Sequence, residues 1–175
     1  MIGRFKTEAF IVKKTNLLGK DLVITLFSKD QGKIKIFAKG IKKITSRRLS
    51  HIETGNLIEA LIYVKNERFY LQESKLISLF SQIKKNKDKL KQLYLILFVL
   101  DRTLPENQRE EGIYNELLRF IVALAKEKIP DEQLLLTYLN KFLKLLGYSK
   151  EAMSFAKALV IIEEIISEKV PEFVI

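Results

Sequence analysis

The spacing of apolar residues changes once along this chain, near residue 75, and that change restricts the folds open to it. Before it, five short runs rich in β-branched and aromatic residues, EAFIVKK, DLVITLFS, GKIKIFAK, NLIEALIYV and RFYLQE, are separated by turn residues. Such runs read as β-strands. KDQG joins the second run to the third as a tight hairpin, with Gly32 free to take a positive φ, and KNER is short enough to join the fourth to the fifth. The third connection, GIKKITSRRLSHIETG, is too long for a hairpin. Five strands with a long third connection form the pattern of a small closed barrel, of which the OB-fold is the commonest case.

Beyond residue 75 the spacing becomes helical. Leu90, Leu93, Tyr94 and Leu97 fall on one face, and so do Ile113, Leu117, Phe120, Ile121 and Leu124. Leu135, Tyr138, Phe142, Leu145 and Leu146 make a third stripe ended by Gly147, and Ala152, Phe155, Ala156 and Leu159 a fourth, with Ser149 as its expected N-cap. Pro105 and Pro130 sit at the boundaries. The expected fold class is α+β: a five-stranded OB-fold barrel over residues 1–74, then an all-α helical domain over 75–175.

Charge follows the same division. The chain of 175 residues has a formal net charge of +10. Residues 1–80 hold 16 cations and 7 anions, whereas residues 81–175 hold 15 and 14. Such asymmetry points to a polyanionic partner for the first half. The densest stretch is KIKIFAKGIKKITSRR, residues 33–48, with seven Lys or Arg and no acid. Strand alternation sends Ile34, Ile36 and Ala38 to one face and Lys33, Lys35, Phe37 and Lys39 to the other. Three cations around one ring suit a single nucleic-acid strand, whose phosphates meet the charges while an unpaired base stacks on the aromatic. Lys42, Lys43, Arg47 and Arg48 follow in the loop, Lys13, Lys14 and Lys20 fall in the first connection, and Lys65 and Arg68 in the fourth. In an OB-fold these connections flank the ligand face of strands two and three.

Little points to catalysis or to a cofactor. Gly19-Lys20 lacks the earlier glycine of a phosphate loop, and Asp21 replaces its Ser or Thr. His51 is the only histidine and there is no cysteine, so thiolate and multi-histidine metal sites are excluded and His51 reads as a packed or solvated loop residue. Glu163 and Glu164 are adjacent, which on a helix turns them about 100° apart. No enzyme activity, metal or other cofactor is expected. The longest apolar run, LYLILFVL at 93–100, is far short of the roughly 20 residues that span a bilayer. With no secretory signal pattern at the start and no thiols, a cytoplasmic protein without a membrane partner is expected.

GKDLVITLFSKDQGKIKIFAKG, followed by SRR and later LLGY, resembles the bacterial recombination mediator family RecO. The resemblance runs over roughly residues 5–150, and its more specific pieces are Asp21, Thr25, Phe27, Gly32, Lys33, Lys39, Gly40, Ser46, Arg47 and the Leu146-Gly147-Tyr148 turn. It implies an OB-fold with a helical domain, binding of single- and double-stranded DNA, annealing of complementary strands, and work with RecR and single-strand-binding protein to load recombinase on gapped DNA. It also implies that Lys39, Arg47 and their basic neighbours face DNA. Many members carry a four-cysteine zinc ribbon after the LLGY turn; here SKEAMSFAKALVIIEEIISEKV follows directly, so the chain reads as a shortened form. An RNA-binding OB protein and a protein-interaction scaffold with a helical peptide groove are the alternatives.

Overall fold

The computed structural model describes residues 3–41, 49–129 and 131–171. These form two compact units: Met1–Leu79 with Leu104–Glu110, and Phe80–Thr103 with Glu111–Ile175.

The first unit is the OB barrel. Its strands are β1 (Gly3–Asn16), β2 (Leu22–Ser28), β3 (Gly32–Ala38), β4 (Leu57–Lys65) and β5 (Arg68–Ser78), closed in the order β1-β2-β3-β5-β4. The long first strand makes closure possible. Its first half, Gly3 to Phe10, pairs with β4, and its second half, Ala9 to Asn16, pairs with β2 across an irregularity between Ile11 and Lys13. Such a bulge bends a strand and increases its twist, letting one strand serve two neighbours. Ala9, Ile11, Ile24, Leu26, Ile34, Ile36, Ala38, Ile58, Ala60, Ile62 and Leu71 fill the interior. Burying this isoleucine-rich set is the main drive for closure.

The turns follow local chemistry. In KDQG, the Gln31 N–H donates to Ser28 Oγ at 3.0 Å and Gly32 takes φ +68°. Asn66 and Glu67 both have positive φ, 49° and 61°, between the paired Lys65 and Arg68. This two-residue turn matches the twist of the strands it joins. The long third connection is tied back to the barrel. Gly40 N–H donates to Asp21 Oδ1 at 2.7 Å, Ile41 and Ile52 are buried with the core, and the Asn56 amide donates to the carbonyls of Ser50 and His51. His51 is packed in this connection, its Nδ1 2.9 Å from the Ser74 carbonyl oxygen.

Residues 104–110 form a strap on β3. Asn107 N–H donates to the Lys33 carbonyl at 2.8 Å, and Lys33 and Glu106 form an isolated bridge. A Cβ on Gly32 would lie 1.7 Å from the Gln108 carbonyl oxygen. Glycine is needed there for close approach as well as for φ.

The second unit contains α1 (Ser81–Lys84), α2 (Lys87–Thr103), α3 (Glu111–Lys126), α4 (Glu132–Leu145) and α5 (Phe155–Ile166). The first three expected stripes lead inward: Leu93, Leu97, Ile113, Leu117, Phe120, Ile121, Leu124, Leu135, Tyr138 and Phe142 are buried. Leu90, Tyr94 and Leu146 are half-buried, and Leu145 is half exposed at the end of its helix. The buried Lys89 amine bonds the Glu127 carbonyl, capping the C-terminal end of α3 with a cation. Asp131 caps α4 by accepting from Gln133 N–H, while Pro130 lies outside the described residues. After α4, Gly147 takes φ +82° and Tyr148 N–H returns to the Leu143 carbonyl.

The last helix corrects the sequence reading. Its N-cap is Ser154, not Ser149, and its buried residues are Ala158 and Ile162 rather than the expected Ala152, Phe155, Ala156 and Leu159. The Asn140 amide explains the later start. It accepts from Met153 N–H and donates to the Met153 carbonyl, holding the approach to α5 extended.

Candidate nucleic-acid interface

Strand pairing sets a row of aromatic rings on the outside of the barrel. Ile36, Ala38, Ile62 and Leu71 point into the core, so their neighbours Phe37, Tyr63 and Tyr70 point out. Phe37 on β3 pairs with Tyr70 on β5, and Tyr70 pairs with Tyr63 on β4. The Phe37 and Tyr70 ring centroids are 5.6 Å apart, and those of Tyr70 and Tyr63 are 4.9 Å apart and nearly parallel. Lys39 Nζ lies over the Tyr70 ring at 5.2 Å, and the Arg68 guanidinium over Phe37 at 5.8 Å. Cations over ring faces are attracted there by the ring quadrupole.

The candidate residues divide on this frame. Phe37, Lys39 and Arg68 come together, and Tyr63 and Tyr70 join them. Lys33, assigned to the outward face by alternation, is only 7% exposed where the strap meets β3. Lys35 is exposed and pairs with Glu106 of the strap, and Lys14 pairs with Glu53 at 2.9 Å. Lys13 and Lys14 lie within β1 rather than in the first connection, because β1 continues through its bulge to Asn16. Lys65 and Arg68 are the last and first residues of β4 and β5, not connection residues. Lys42, Lys43, Arg47 and Arg48 lie outside the described residues.

Tyr63 and Tyr70 escaped the sequence reading, although a signal was present. A two-residue KNER turn fixes the register Lys65 to Arg68, and counting back two steps sets Tyr63 opposite Tyr70. Among the described residues no group of three or more His, Cys, Asp or Glu side chains could hold a metal ion, and no helix is long and apolar enough to cross a membrane.

A closed OB barrel with cation-flanked rings across three strands, in a chain that continues into helices, defines an OB-fold protein of the α+β class. Residues 1–80 match the family described as Recombination protein O N terminal. The likeness extends further, over 82% of the chain, to proteins named DNA repair protein RecO. One from Thermoanaerobacter sp. (strain X514) is 32% identical over 144 residues, and one from Caldanaerobacter subterraneus subsp. tengcongensis is 27% identical over 143. A third, from Thermodesulfovibrio yellowstonii, is 28% identical over 146 residues, 83% of this chain and 56% of the relative. The matched part spans 58% of the length of the first two relatives. These matches bear out the resemblance to RecO drawn from the residues.

Proposed function

We propose that this chain is a non-catalytic DNA-binding protein of recombinational repair that holds DNA strands on the outer face of its barrel and anneals complementary ones. The observation carrying this reading is the Phe37, Tyr70 and Tyr63 row with Lys39 and Arg68 over its rings. The likeness to DNA repair proteins supports the same conclusion. Rings offer bases a sequence-tolerant surface, and cations beside them meet phosphates. Between two strands such cations screen phosphate repulsion, so pairing needs no fuel. Lys13, Lys39 and Arg68, with Lys42, Lys43, Arg47 and Arg48, are the proposed phosphate contacts. Lys14 and Lys35 join them where DNA competes with Glu53 and Glu106 for the amines. Lys33 acts through the strap rather than by direct contact. By resemblance, RecR and single-strand-binding protein are the proposed partners in loading recombinase at gapped DNA.

An annealing assay with complementary oligonucleotides precoated by the cognate single-strand-binding protein tests this. Acceleration by the wild type, lost in Phe37→Ala/Tyr70→Ala, is expected. No acceleration, or preference for RNA of equal length, would contradict it. The scaffold reading has one observation of its own: a groove of about 580 Å³ in the helical unit, lined by Leu95, Leu135, Leu136, Phe155 and Leu159. A peptide held there would stay bound in high salt, unlike DNA on the barrel.

A further inference from the structure

The loop between β1 and β2 opens with two adjacent leucines that the barrel core does not use. Leu18 is 99% exposed and Leu17 38%. A lone exposed leucine means little, but two together on the first arm of a short loop, with the exposed Lys20 two residues beyond Leu18, form a compact apolar point on a basic edge. The loop is anchored at its base. Leu17 N–H donates to the Asp21 carbonyl at 3.2 Å, and the Asp21 carboxylate accepts from Gly40 N–H at 2.7 Å. That second bond ties the loop to the residue after Lys39, whose amine sits over Tyr70. The sheet register agrees: Leu22 pairs with Ala38 and Val23 with Phe37. The loop therefore leaves the sheet about two residues, or roughly 7 Å, from the Phe37 position.

We propose that Leu17 and Leu18 are a wedge that enters the last base step of a duplex where it opens into a single strand, so that this face takes a single-strand to double-strand junction. The inference rests on the DNA-binding reading and specifies the substrate of the same face. Apolar side chains inserted at a base step unstack it, and the cost is lowest where one side is already open. The opened strand then continues onto Phe37, Tyr70 and Tyr63, while Lys20 and Lys39 meet phosphates beside the fork. Charge selects this occupant. A protein groove receiving two leucines would leave these cations facing apolar surface, whereas a nucleic-acid fork supplies both the stacked bases and the anions.

The test uses the full chain and a primer–template oligonucleotide with 2-aminopurine at the last paired position, alongside single-stranded and fully duplex controls. Wild type should raise the 2-aminopurine fluorescence and bind the junction about tenfold more tightly than Leu17→Ser/Leu18→Ser, the scale of losing one inserted side chain. Leu18→Phe should keep both properties, and single-strand affinity should change by less than about twofold because phosphate contacts remain. The substituted side chains lie outside the core, and melting curves verify folding. A double-serine variant with undiminished junction binding and fluorescence would overturn the wedge while leaving strand binding intact. Wild type that binds no DNA would overturn both readings. Leucine-dependent binding to phosphatidylglycerol vesicles without a fluorescence change at the junction would assign the leucine pair to an anionic membrane surface and overturn the wedge.

Discussion

Tyr63 and Tyr70 stack with their ring centroids 4.9 Å apart and their planes within 13° of parallel, as the third residue pair from the Asn66-Glu67 turn. Tyr70 is the middle ring of the row, meeting Phe37 on its other side and Lys39 above. Its removal leaves a gap between the remaining two rings and takes away the ring beneath Lys39. Tyr70→Ala should therefore weaken single-strand binding more than Tyr63→Ala, by about 1 to 3 kcal/mol. Fluorescence anisotropy with a labelled oligonucleotide measures it. Equal, small losses from both variants would show that bases do not stack on this row.

Gly32 should tolerate no side chain. Its φ of +68° disfavours any Cβ, and the Gln108 carbonyl occupies the space one would need. Gly32→Ala is expected to destabilise the chain by about 1 to 3 kcal/mol, the scale of a strained backbone position. Urea denaturation reads the change. Amide exchange should also show faster exchange at Asn107, whose N–H bonds the Lys33 carbonyl. Unchanged stability would mean that the strap does not hold this close approach in solution.

Phe142 is 1% exposed and stacks with Tyr138 inside the helical unit. Phe142→Ala should cost about 3 to 5 kcal/mol through lost burial and the cavity left behind. A variant with wild-type melting that lost a partner would place the residue at a contact surface instead.

Glu163 accepts hydrogen bonds from Lys169 Nζ and from Val170 N–H at 2.9 and 3.0 Å, and these hold its carboxyl below the ordinary carboxylate range. Because the folded value is depressed, the stabilisation is present above the unfolded value and is lost as pH falls through the folded one. A carboxyl-carbon titration should find the Glu163 midpoint lower in the folded chain than in the unfolded one. Lys169→Gln should move its midpoint up. An unmoved midpoint would show that the Lys169 contact is absent in solution.

The fold was legible where local chemistry decides it. The period change, the Gly32 turn, and the alternation of Ile34, Ile36 and Ala38 carry the barrel's inner face, and three helical stripes carry most of the second core. The part of the site that was hidden depends on pairing between distant residues. Nothing near Phe37 in the sequence states that β3 meets β5 in parallel, which alone brings Tyr70 beside it. Nor does local sequence reveal that residues 104–110 return to β3 and engage Lys33 and Lys35. The start of α5 was misjudged because Ser149 and Ser154 are both acceptable caps, and Asn140 on another helix decides between them.

The central claim is that DNA lies on the basic barrel face, and the salt dependence of binding tests it most directly. Lys39, Lys42, Lys43, Arg47 and Arg48 changed together to Gln should flatten the slope of log K against log salt by roughly 3.5 units for a single strand, if each neutralises one phosphate. Changing Lys126, Lys128, Lys141, Lys144 and Lys150 removes the same charge from the helical half and should alter the slope much less. Annealing rates should rank the same way. Equal impairment of the two variants, both folded, would show a general surface field and would contradict a binding face on the barrel.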